Sequence, residues 1–288
     1  MVSKRLYTTG DGGHTWELLA QVGFPSTLAT PVDAYGELPG PNINAVVFTT
    51  ETDGWMATDE PGPTIWGTHD GGRTWVPAAI PSQARAFDID CPDGMTCIVT
   101  GNKGIWLTED AGEHWNLEAF PCETGFPIMS AAVDAAHQWT ICFNGRAANT
   151  FVEKQIMRSV DHGETWELAA ESAWGRTPTP GIGQAPKHSI SAMVFTSEVE
   201  GWIGEGGPGP VFLWHTTDGG RSWSPVAPEP TPFPVRSIEA HDVDHIDVNT
   251  LGVWGTDDGG ETWMLVATPT PTPFQTPVPS PTLSLLAP

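Results

Sequence analysis

Apolar and polar residues alternate along this chain in short runs that recur in a fixed order. INAVVF (43–48), GWMAT (54–58) and TIWGT (64–68) make one set, and ISAMVF (190–195), GWIGE (201–205) and VFLWHT (211–216) make another. Runs of this length with period two, rich in β-branched and aromatic residues, predict half-buried β-strands, whereas helices need longer segments with period 3.6. The predicted chain is therefore all-β. Each unit supplies strands a, b, c and d in sequence.

A second signal sits at the turn from strand c to strand d. The segments TGDGGHTW (9–16), THDGGRTW (68–75), TEDAGEHW (108–115), SVDHGETW (159–166), TTDGGRSW (216–223) and TDDGGETW (256–263) share one pattern, Ser/Thr-x-Asp-x-Gly-x-(Thr/Ser)-Trp, with His114 the exception at the seventh place. An Asp in such a turn accepts hydrogen bonds from the turn's own N–H groups, and Gly supplies positive φ without steric cost. The structural residues of this pattern are Asp11, Gly13, Trp16, Asp70, Gly72, Trp75, Asp110, Gly112, Trp115, Asp161, Gly163, Trp166, Asp218, Gly220, Trp223, Asp258, Gly260 and Trp263.

The pattern resembles the Asp box, or bacterial neuraminidase repeat, of sialidases, sortilin-type receptors, xyloglucanases and photosystem II assembly factors. Successive box tryptophans lie 59, 40, 51, 57 and 40 residues apart, which suits one four-stranded propeller blade plus variable loops. The expectation is a β-propeller of about six blades: five full ones and an N-terminal half blade, since LYTT, its box and WELLA provide only strands c and d. The missing strands point to sequence lost before Met1, with a gapped ring as the alternative. Residues 1–267 form the predicted propeller, and residues 268–288, rich in Pro and Thr, read as a disordered linker or stalk.

Charge narrows the partners. Twelve Lys plus Arg against 35 Asp plus Glu give a formal charge of −23, which repels nucleic acid and anionic lipid. No apolar run is long enough to span a membrane. No signal peptide precedes the propeller in this sequence, yet the stalk and the cysteines point to a surface or secreted bacterial protein whose signal lies upstream, with a cytoplasmic location as the alternative. The cysteines, Cys91, Cys97, Cys122 and Cys142, allow three pairings, and four free thiols are a further alternative. Cys91 and Cys97 flank the turn CPDGMTC; if they pair, Cys122 and Cys142 make the second bridge.

The long insertions, 21–41, 58–63, 144–154, 172–188 and 204–210, all fall in b to c or d to a connections, on the face opposite the boxes. Binding residues concentrate on such loops. There, Arg146, Lys154, Arg176 and Lys187 suggest an anionic-ligand site around the fourth blade, and Tyr35, Trp55 and Trp174 are candidates to stack on a sugar ring. The bland readings are solvated cations and packed aromatics. No metal or other cofactor is expected: HDVDHIDVN (241–249) reads as an acidic a to b turn. The box carboxylates sit one per blade, too far apart for the paired acid and base work of hydrolysis, and in the resembled families the boxes lie away from the active site.

Two functions follow from the resemblance. One is a non-catalytic scaffold of the photosystem II assembly and stability factor type, also carried by the F-T-x-x-x-x-G-W segments at 48–55 and 195–202, with a protein partner on the loop face. The other is a glycoside hydrolase or carbohydrate-binding propeller, sialidase-like or xyloglucanase-like. Eight Arg and only Tyr7 and Tyr35 leave little material for a sialidase site, and the resemblance implies two propellers for a xyloglucanase cleft, so the expectation is that the chain is not an enzyme.

Overall fold

The computed structural model describes residues 5–10, 15–21, 36–38, 42–58, 64–78, 80, 85–123, 125–148, 151–172, 177, 179–207, 212–226 and 233–267. They form six sheets in chain order and, among the described residues, no helix. The first sheet holds β1 (Arg5–Thr8), β2 (Glu17–Gln21) and β3 (Gly36–Glu37). Five complete blades follow, numbered 1 to 5 without counting the first sheet, each built on a four-stranded antiparallel meander, so the fourth unit of the sequence is blade 3.

Blade 1 comprises β4 (Ile43–Phe48), β5 (Gly54–Thr58), β6 (Ile65–Thr68) and β7 (Val76–Pro77). Blade 2 comprises β8 (Ala86–Asp90), β9 (Cys97–Gly101), β10 (Gly104–Thr108) and β11 (Asn116–Leu117). Blade 3 has five strands, β12 (Phe126–Ala132), β13 (Gln138–Ala148), β14 (Phe151–Ser159), β15 (Glu167–Ser172) and β16 (Gly183–Gln184). Blade 4 is β17 (Ile190–Phe195), β18 (Gly201–Glu205), β19 (Leu213–Thr216) and β20 (Ser224–Pro225), and blade 5 is β21 (Ser237–Ala240), β22 (Ile246–Asn249), β23 (Val253–Thr256) and β24 (Met264–Ala267).

The core lies between blades, because b strands such as β5, β9 and β18 are buried on both faces and their alternate residues face opposite neighbours, whereas β22 of the last blade buries only alternate residues. Trp55 and Ala57 pack forward onto Cys97, Val99 and Trp115 of blade 2, and Trp139 and Ile141 pack onto Met193, Phe195 and Trp223 of blade 4. Trp202 and Leu213 meet Ile246 and Val248 of blade 5. The first sheet joins in the same sense, with Leu6 and Ala20 against Met56 and Trp66. At the innermost strands, polar side chains clasp one blade to the next. Asn44 Nδ2 donates to Ala86 O at 2.7 Å, and the amides of Ser130 and Ala132 donate to Asp88 and Asp90 at 3.1 and 2.8 Å. Ser191 Oγ donates to Val235 O at 2.6 Å.

Part of what the sequence suggested as loop is strand. The 144–154 insertion continues β13 and β14 as a hairpin paired out to Ala148 and Phe151. Two long d to a connections, 21–41 and 172–188, contribute β3 and β16, which add in parallel to the outer strands β2 and β15. Each shields a d-strand edge whose unpaired backbone groups would otherwise be open to other chains. Cys91 is bridged to Cys97 across the a to b turn of blade 2, and Cys122 to Cys142, tying the approach to blade 3 onto its b strand.

Candidate functional site

The box turns satisfy their own carboxylates. Asp70 accepts from Thr68 Oγ1 at 2.9 Å, Thr74 N at 2.8 Å and Thr74 Oγ1 at 2.7 Å, while Thr68 Oγ1 in turn accepts from Gly72 N. The same pattern recurs at Asp110, Asp161, Asp218 and Asp258. At Asp110 the bonds from the His114 amide and ring hold the carboxyl down at about 2. At Asp70 partial burial alone would raise the carboxyl, and the bonds from Thr74 and Thr68 more than offset it. The fourth position of each of these turns is left-handed, including the non-glycine residues Ala111 and His162 at φ 55° and 59°. Carboxylates engaged this fully are turn locks. Asp110, Glu113 and His114 also approach one another at the surface, but both oxygens of Asp110 already serve the turn.

On the opposite face, a polar centre joins blades 3 and 4. Lys154 on β14 is 2% exposed, and its ammonium donates to His188 O at 2.6 Å. The His188 amide donates to Glu205 Oε1 at 2.8 Å, and Glu205, at the loop-face end of β18, is fully buried. Burial pushes the Lys154 amine down to about 8, against the opposing pull of the Glu205 carboxylate. Nearby, buried Glu171 accepts from Thr179 N. The strap between blades 3 and 4 is therefore held through its backbone by Lys154 and Glu171 of blade 3 and Glu205 of blade 4, while Lys187, one residue from the anchor, is exposed.

A third feature lies on the box side between blades 4 and 5. A cleft of about 590 Å³ is bordered by Glu200, Trp202, His215, Asp244, Asp258 and Glu261. Inside it His215 stacks on Trp202 with ring centroids 4.0 Å apart and pairs with Glu200 at 2.6 Å.

No family model matches the chain. A xyloglucanase from Paenibacillus sp is 24% identical over 226 residues, covering 73% of this chain and 20% of that protein. The photosystem II assembly lipoprotein Ycf48 from Synechococcus sp. (strain CC9902) is 24% identical over 205 residues, covering 70% of this chain and 51% of that one. The chain thus spans a fifth of the first relative and about half of the second. The solved GH74 xyloglucanase from Xanthomonas campestris superposes with a TM-score of 0.54 at 14% identity, over 89% of this chain and 42% of its own. The GH74 enzyme from Niastella koreensis gives 0.51 at 14% identity, over 79% and 38%. At such identity the likeness speaks for the fold. The chain is a β-propeller.

On this propeller the residues singled out from sequence scatter. Trp55 is no open platform: it is 9% exposed and set edge-on against Trp115, with ring centroids 5.6 Å apart. Lys154 is a buried strut rather than a surface cation, because it lies within β14, paired with Phe143 on one side and Ser172 on the other, and its ammonium reaches the strap at His188 O. Lys187 is exposed on the loop face. Tyr35, Trp174 and Arg176 lie outside the described residues, as do Asp11 and Gly13 of the first box and the side chain of Arg146. Sequence reasoning missed Glu171, His188 and Glu205. Glu205 carried a readable signal, an acidic residue ending the apolar run GWIGE.

Proposed function

We propose that this propeller is a non-catalytic protein-interaction scaffold of the photosystem II assembly factor-like type, binding its partner through the loop face opposite the Asp-box turns. The observation that carries the reading is the Lys154–His188–Glu205 centre, which rigidifies the strap presenting Lys187 beside the extended β13–β14 hairpin. A preorganised, projecting surface on a rigid sheet suits a protein partner, since ordering costs are already met in the free protein. The likeness to the Ycf48 lipoprotein agrees with this. Residues 1–267 would then be the binding unit and 268–288 its linker. Two disulfides favour a surface or secreted setting.

The likeness to a xyloglucanase favours a second reading, a glycan-acting propeller. Retaining and inverting hydrolases need two free carboxylates about 5 to 10 Å apart. Asp88 and Asp90 lie two residues apart on β8, and both accept backbone amides of blade 3. Their engagement weighs against that reading. The deciding experiment pairs affinity capture with a xyloglucan depletion and hydrolysis assay. The scaffold reading expects a stoichiometric protein partner whose binding falls about tenfold on Lys187→Glu, as for a charged contact. Sugar release by the wild-type chain without a captured protein would replace it with the hydrolase reading.

A further inference from the structure

The gaps between successive blades repeat the same positions, and two neighbouring gaps fill them differently. Between blades 3 and 4, the residue ahead of the box serine is Arg158, the residue after the box tryptophan is Glu167, and the residue after the glycine pair of the next box is Arg221. Arg158 lies over the Trp139 ring at 5.8 Å and reaches Glu167 at 3.4 Å, and Arg221 meets the same carboxylate oxygen at 2.7 Å. Two guanidinium groups of the chain itself thus close that gap over an aromatic face.

Between blades 4 and 5 the corresponding residues are His215, Ser224 and Glu261. Both arginines are replaced, and the cleft of about 590 Å³ stands in the same place. His215 takes the place of Arg158 over the indole, stacked on Trp202, which is itself 2% exposed, so the imidazole is the ring that faces the cleft. Asp258 is engaged within its own turn, whereas Asp244 and Glu261 border the opening and Glu200 backs His215. A flat imidazole rimmed by carboxylates is a setting in which a planar guanidinium stacks and pairs at once. The chain's formal charge of −23 draws cations toward it.

We propose that the cleft between blades 4 and 5 receives an arginine side chain from a basic segment of a protein partner, supplying in trans the guanidinium that Arg221 supplies in cis one gap earlier. This site lies on the box side and is separate from the loop-face surface.

The test is calorimetric titration of the intact protein with a hexa-arginine peptide and with its neutral citrulline twin. Wild type is expected to bind the arginine peptide saturably at one site and the citrulline peptide not measurably. Glu261→Arg, which places a guanidinium where blade 4 has Arg221, is expected to cut affinity about tenfold. Glu113→Arg makes the same charge change at the equivalent place in blade 2 and is expected to hold affinity within about twofold. Asp244→Asn, in an exposed turn, gives a milder reading of about threefold should Glu261→Arg fold poorly. Equal losses from Glu113→Arg and Glu261→Arg, or unsaturable binding, would overturn the proposal by showing diffuse attraction only. The peptide assay does not involve the loop face, so its failure leaves the loop-face reading to its own capture experiment.

Discussion

Gly112 in the box turn of blade 2 lies flat against the indole of Trp55 in blade 1, so closely that a Cβ there would run into the ring. Gly260 and Trp202 repeat the arrangement between blades 4 and 5. The glycine therefore answers two demands, a left-handed turn and a neighbouring blade's side chain, and the box is a joint between blades as well as a hairpin lock.

Gly112→Ala is expected to destabilise the fold by about 3 kcal/mol, combining overpacking with an unfavourable left-handed alanine. Gly94→Ala, where an added Cβ meets nothing within 4 Å, is expected to stay within about 0.5 kcal/mol of wild type in the same denaturant titration.

Stability should bend with pH in two directions. Desolvation between blades raises Asp88 to about 6 and Asp90 to about 7. The folded state then binds more protons than the unfolded chain, so their contribution is complete below about pH 4 and is lost as pH rises through 6 and 7. The box carboxyls are lowered and act oppositely: their contribution is present above about pH 4 and is lost as pH falls through their folded values. Asp88→Asn with Asp90→Asn is expected to flatten the decline toward neutral pH and leave the acid limb in place. Thermal melts across pH 3 to 8 check both arms.

Lys154→Met leaves Glu205 buried without its cation and is expected to cost about 3–5 kcal/mol. Adding Glu205→Gln should recover at least half of that, because the uncompensated charge is gone. In wild type the lowered amine makes the folded state release its proton first, so this group adds stability as pH rises from about 8 to about 10. Denaturant midpoints of the single and double variants measure the coupling.

The two bridges should contribute unequally. Cys122 and Cys142 are 20 residues apart and Cys91 and Cys97 only 6, so loop closure predicts about 3 and about 2 kcal/mol. Unfolding with and without reductant, and with each cysteine pair changed to serine, tests the order. Mass analysis of the unreduced protein should find no free thiol.

The blades were legible because both of their signals are local. Period-two alternation marks the strands, and the Asp and Gly of each box mark the c to d turn, including the half blade whose c and d strands appear as β1 and β2. The site was less legible because it depends on contacts between distant segments. Trp55 looks in sequence like any tryptophan after a turn glycine, and only the approach of Gly112, 57 positions on, shows that it is a packed joint. Lys154 reads as a loop cation until the hairpin register carries it beneath His188. The outer strands β3 and β16 have only two residues each, too short for any periodicity to announce them.

The proposed function gives the box carboxylates a structural role and the loop face the interaction. Hydrogen exchange of the propeller with and without its captured partner tests this most directly. Slowed exchange is expected in the β13–β14 hairpin and the strap at 179–188. Exchange unchanged in both segments, with the partner bound, would contradict it.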